Sequence, residues 1–126
     1  MKDNILTPFA DSDKEPIGYT FWCPGCEEYH GVWVQTKNPT TNGQWTWNGN
    51  MIKPTFSPSI LVRGVSLPKV LEKDNKGKHV LGPDGRIKGA KDTVCHTFVR
   101  EGMIQFLNDC THKLAGQTVA LLPDPC

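Results

Sequence analysis

The sequence predicts a small α+β domain: an antiparallel sheet built from two or three hairpins, organised around a zinc knuckle and followed by one short C-terminal helix. Three observations carry this reading. Cys23-Pro24-Gly25-Cys26 sets two thiols around a Pro-Gly turn, a spacing that presents both sulfurs to one metal ion. Residues 93–99 and 103–107 are rich in β-branched and aromatic side chains and flank the polar turn Arg100-Glu101-Gly102, which reads as a hairpin. Asn108 or Asp109 then offers an N-cap for a helix running to about residue 115, and Gly116 offers a left-handed stop.

Knuckle, hairpin and a helix whose first turn holds Cys110 make a treble-clef-like zinc site with a long insertion. Unpaired N–H groups in that first turn would favour the Cys110 thiolate. The expected ligands are Cys23, Cys26, Cys95 and Cys110, a closed four-thiolate structural set. The fourth place is contested, because His96 or His112 could replace Cys95 in a mixed site. Cys95 and His96 are adjacent on one strand and so face opposite ways. His30 lies near the knuckle but reads more readily as a hydrogen-bonding group. A redox pair with the same Cys spacing would need an amphipathic helix after the knuckle, and Glu27-Glu28-Tyr29-His30 does not supply one.

The remaining elements follow in order. Residues 1–16 hold Pro8, several acids and no alternation, and read as a flexible N-terminal arm. Residues 17–126 form a single zinc-binding domain, with strands at 17–22 and 30–35 on either side of the knuckle. Gln44-Trp45-Thr46-Trp47 reads as a strand with both indoles on one face, closed by the Asn48-Gly49 turn. Pro54 and Pro58 disfavour a helix and leave Thr55, Ser57 and Ser59 along an extended path. These hydroxyls could line a pocket walled by Trp45 and Trp47, although core filling and turn capping explain the same residues. Residues 60–62 resume a buried strand, and 118–122 form a final edge strand. Phe21, Val32, Phe56, Ile60, Ile104 and Phe106 are expected in the core, together with Trp22 and Phe98.

Charge is balanced, with 14 Lys plus Arg against 13 Asp plus Glu in 126 residues, which gives no support for a protein devoted to DNA. The distribution is uneven: residues 69–91 carry seven bases against three acids and read as a basic loop or a weak hairpin around Pro83-Asp84-Gly85-Arg86. No apolar run approaches 20 residues and no secretory signal opens the chain, so a reducing cytoplasm, which keeps thiols free, is the expected location. Cys126 is the odd cysteine and is expected to be free and exposed.

Phe21-Trp22-Cys23-Pro24-Gly25-Cys26, Trp45-Thr46-Trp47-Asn48-Gly49, Pro54-Thr55-Phe56-Ser57-Pro58-Ser59-Ile60, Cys95-His96-Thr97-Phe98-Val99 and the run from Asp109 to Val119 resemble a family of small phage and prophage proteins, sometimes labelled ammonia monooxygenase. The resemblance implies phage or prophage origin and a cytoplasmic role during infection or lysogeny; with the closed four-ligand site read from the residues, the main expectation is a zinc-binding accessory protein, with structural zinc and a host protein, phage protein or nucleic acid as partner. The alternative is a zinc-dependent hydrolase with an open metal position, His112 or His96 near the reaction centre and Asp92 or Asp109 as acid or base. A Ser or Cys nucleophile with His96 or His112 is a third reading, for which sequence proximity supplies no spatial triad.

Overall fold

The computed structural model describes residues 4–10, 15–68 and 70–123. Eight strands run in chain order: β1 (Thr7–Ala10), β2 (Pro16–Cys23), β3 (Glu28–Trp33), β4 (Thr46–Trp47), β5 (Phe56–Ser66), β6 (Lys91–Arg100), β7 (Met103–Phe106) and β8 (Thr118–Ala120). They form two antiparallel sheets, β1-β2-β3 and β4-β5-β6-β7-β8. Phe21, Cys23 and Val32 from the first sheet share one core with Phe56, Ile60, Cys95, Val99, Ile104 and Phe106 from the second. Period-two alternation explains the selection, since Phe21 and Cys23 point inward while Trp22 turns out to pack edge-on against Tyr29 at 5.0 Å. Phe98 likewise lies on the outer face, beneath the Arg100 guanidinium at 4.3 Å.

The α+β expectation is corrected: among the described residues the chain is all-β, with no helix after Asp109. The backbone donors that a helix would use are taken elsewhere. Thr111 N–H reaches Val94 O and Gly116 N–H reaches Phe106 O, while Ala115 and Gln117 close four-residue turns onto His112 and Leu114. A single short helical turn is costly to nucleate, and pairing along the sheet satisfies the same groups. Without that helix there is no treble clef, and the zinc-finger reading falls with it. Within the stretch read as an N-terminal arm, residues 7–10 pair with β2, and Ile5 and Leu6 are buried. A strand of four residues containing Pro8 carries almost no periodic signal. The expected state of Cys126 lies outside the described residues. No helix of the described residues is long and apolar enough to cross a membrane.

The β6–β7 hairpin turns on Glu101 (φ 50°) and Gly102 (φ 76°), the two left-handed positions of a type I′ turn. A Cβ on Gly102 would stand 3.2 Å from the Lys53 Cα. Gly102→Ala is therefore expected to cost about 1–2 kcal/mol, read as a lowered urea midpoint; an unchanged midpoint would show that the turn tolerates a side chain. Between β5 and β6, which Lys91 already begins, the described part of the basic segment, residues 70–90, carries isolated bridges between Lys73 and His79 and between Leu81 and Ile87, the latter enclosing the expected turn. Several of its charges are paired, Arg86 with Asp84 and Asp92, and Lys88 with Glu72.

Candidate active site and metal centre

β5 and β6 pair regularly from Ile60↔Thr97 to Ser66↔Lys91, but Phe56 already opposes Val99. Residues 57–59 therefore face Phe98 alone, and the surplus bulges out of the ladder. Pro58 lacks the N–H a regular ladder requires, which favours the irregularity here. Below the bulge Ile60 points into the core, so Ser59 falls on the opposite, outer face with Leu61, beside Leu61's cross-strand partner His96.

On that face His96 Nε2 lies 3.1 Å from Ser59 Oγ, and His96 Nδ1 lies 3.1 Å from Asp109 Oδ2. An ionised carboxylate only accepts, so the Nδ1 hydrogen is donated to Asp109. In the neutral ring, Nε2 then keeps a lone pair for the Ser59 hydroxyl proton. A hydroxyl, a base and an orienting carboxylate stand in line, the arrangement by which a serine is activated as a nucleophile.

Asp109 reaches His96 because the chain after β7 continues along β6 with residues to spare. Leu107 N–H donates to His96 O, and Thr111 N–H donates to Val94 O. Three residues, 108–110, thus bridge a step of two on β6, and the excess projects Asp109 over the imidazole. Cys110 secures the loop from beneath: its thiol accepts His96 N–H at 3.2 Å and donates to His96 O at 3.3 Å.

Directly behind His96, on the core face, Cys95 meets the knuckle. Ligand atoms of Cys23, Cys26, His30 and Cys95 all lie within 4.8 Å of one another, a cluster able to chelate a metal ion. The Pro24-Gly25 turn brings Cys26 back so that its N–H donates to the Cys23 sulfur at 3.4 Å. His30 enters from β3, opposite Phe21, with its Nε2 buried and without a hydrogen-bond partner. An orphaned buried ring nitrogen beside three sulfurs is what a metal donor set looks like. A hydrogen bond from the Cys95 thiol pulls Cys23 down to about 4, burial pushes Cys26 up to about 12, and donation to the Cys23 sulfur pushes Cys95 up. Of the three thiols, Cys23 is the one these contacts favour as thiolate.

Cys23, Cys26 and Cys95 thus come together as the sequence suggests, joined by His30. Cys110 falls in a neighbouring group with Cys95 and His112. His112 Nδ1 accepts the Leu114 N–H, which leaves the proton on the buried Nε2 and makes that nitrogen a poor ligand. Asp92 is engaged by Arg86 at 2.7 Å, whereas Asp109 serves His96. The indoles of Trp45 and Trp47 are tied to Ser59 O and Asn50 O, and both pack against the core. Ser59's role escaped the sequence; the signal that could have found it is the proline beside it, breaking an otherwise continuous strand.

A match to the protein family described as "Bacterial ubiquitination-like system serine protease (BubE)" spans residues 1–107. The chain belongs to the BubE family. No curated protein and no solved structure matches it. Ser59 and His96 lie inside the BubE match, and Asp109 two positions beyond its end. Membership overturns the resemblance to phage proteins and, with it, the accessory role that resemblance implied. The segments that suggested it contain Ser59, His96, Asp109 and the clustered ligands except His30. Of the two readings, the alternative, a zinc-dependent hydrolase with an open metal position and His112 or His96 near the reaction centre, fits membership better than the accessory role does, in being a hydrolase with a Cys/His cluster.

Proposed function

We propose that this chain is a serine hydrolase of peptide bonds, with Ser59 as nucleophile, His96 as general base and Asp109 orienting the imidazole. The observation that carries the reading is the hydrogen-bonded line Ser59 Oγ, His96 Nε2, His96 Nδ1, Asp109 Oδ2. His96 Nε2 takes the Ser59 proton as Oγ bonds to the scissile carbonyl carbon, then returns it to the leaving amine as the C–N bond breaks. A water activated by the same nitrogen cleaves the acyl-enzyme and restores Ser59. The BubE description supports a protein of a bacterial ubiquitination-like system as the substrate. The free thiols Cys23, Cys26, Cys95 and Cys110 fit a reducing, cytoplasmic setting.

The clustered ligands are proposed to hold zinc structurally. Two sulfurs on one tetrahedral zinc, each about 2.3 Å from it, lie about 3.8 Å apart, and Cys23 Sγ and Cys95 Sγ are 3.8 Å apart. When bound, zinc supplies a cross-link between the knuckle and the strand carrying His96. Three cysteines and a histidine complete a tetrahedral shell, so the water-activating step falls to His96 rather than to the metal. A fluorophosphonate probe is expected to form one adduct, mapped to Ser59 by mass spectrometry. Activity without an adduct, abolished at once by a chelator while the fold persists, would instead identify a zinc hydrolase.

Proton release gives a separate check on the ligands. At pH 7 Cys23, at about 4, is already a thiolate, while Cys26 and Cys95 hold their protons. Zinc binding to the folded protein should expel those two, so affinity rises by about a hundredfold per pH unit near neutrality. Calorimetry in buffers of different ionisation enthalpy reads the number directly; a release of three would mean that Cys23 is protonated before metal arrives.

A further inference from the structure

Ser59 sits at one end of a strand whose far side has no neighbour. β4 covers only Phe56 and Ser57 of β5, through Trp47 and Thr46. From Ile60 to Ser66 β5 is paired on one side alone, to β6, and among the described residues nothing hydrogen-bonds its other edge. A row of unpaired backbone donors and acceptors is a template for an added strand. Its position relative to the nucleophile is informative. His96 approaches Ser59 Oγ from the β6 side; on the other side the Trp45 indole takes the Ser59 carbonyl, and the open edge of β5 begins one residue on, at Ile60.

We infer that the free edge of β5 is the substrate-docking strand, taking an extended peptide by β-augmentation and feeding it toward Ser59. This rests on the serine-hydrolase reading above. Beyond Ser59, the outer face of β5 presents Leu61, Arg63 and Val65. Leu61 is 45% and Val65 55% exposed, and Arg63 is exposed and makes no ion pair among the described residues. The added peptide would therefore carry apolar, acidic and apolar side chains at alternate positions on that face. Its intervening side chains turn toward the inner face, where Val62, Gly64 and Ser66 border a cavity of about 420 Å³ closed by Gly25, Cys26 and Glu28. The occupant is a peptide segment with a free, unfolded backbone rather than a folded surface.

The test uses the zinc-loaded full chain and a positional library of internally quenched octapeptides. Wild-type protein should select an acid at one position, flanked two places on either side by apolar residues. Arg63→Glu, at an exposed site, should keep its circular dichroism spectrum and invert that one selection to Lys or Arg, changing the acid-to-base ratio at least tenfold. N-methylation of the best octapeptide at alternate amides away from the scissile bond should cut kcat/KM at least tenfold, and at the intervening amides should not. A profile unchanged in Arg63→Glu, insensitivity to N-methylation, or fluorophosphonate labelling of wild-type Ser59 with no octapeptide cleaved would each overturn the docking strand while leaving the nucleophile standing. Failure of wild-type Ser59 to label would remove the reading on which both depend.

Discussion

Ser59→Ala is expected to lower peptide hydrolysis by about 10⁴–10⁶ and to eliminate fluorophosphonate labelling, with metal content and melting temperature unchanged. The separation follows from where the groups lie. Ser59 Oγ makes a contact with His96 on the outer face of the sheet, and the core is filled by Phe56, Ile60 and Val99 on the other. Deleting one partly exposed hydroxyl removes no buried apolar area, so stability should change by less than about 0.5 kcal/mol. His96→Ala should cost nearly as much activity, and the double variant little more, because nucleophile and base act as one unit. Asp109→Asn is the sharper probe. An amide can donate to Nδ1, which would fix the imidazole in the tautomer that presents N–H to Ser59 and disable it as a base, an effect of about 10⁴. Equal activity in Asp109→Asn and wild type would remove Asp109 from the site, whatever Ser59 proved to do.

Much of the sheet was legible because its signals are local. The β6–β7 hairpin announces itself through alternating β-branched residues around Glu101-Gly102, and the knuckle through Cys-Pro-Gly-Cys. What could not be read depends on contacts distant in sequence. Ser59 becomes the proposed nucleophile only because a bulge opposite Phe98 places it beside His96, 37 positions away. The segment after Asp109 has an N-cap and a glycine stop, yet Val94 and Phe106 claim its backbone donors, and tertiary pairing overrides propensity. His30 reads as an ordinary polar residue until β2 and β3 pair and bury it against the knuckle. The adjacency of Cys95 and His96 was visible, and it holds the central relation of the molecule: one residue faces the metal cluster and the next faces the serine.

That adjacency makes metal removal the other perturbation with a large expected effect. Zinc on thiolate and imidazole ligands contributes about 10–16 kcal/mol in small folded units, comparable to or above the roughly 5–15 kcal/mol of net stability of a typical domain. Held by Cys23, Cys26, His30 and Cys95, it would join the knuckle and β3 of one sheet to β6 of the other, across a core whose buried members include Cys23 and Cys95 themselves. Cys23→Ser should therefore lose the metal and most of the cooperative thermal transition, and a strong chelator should do the same to wild-type protein. Cys110→Ser should keep the metal, since the Cys110 thiol is held by the backbone N–H and C=O of His96. If zinc acts only through structure, Ser59 labelling and the near-ultraviolet circular dichroism signal should decay together on chelation and return together when zinc is restored. Loss of labelling ahead of unfolding would show that the metal acts on the reaction itself, and full labelling of a metal-free, folded protein would show that β6 holds His96 in place without it.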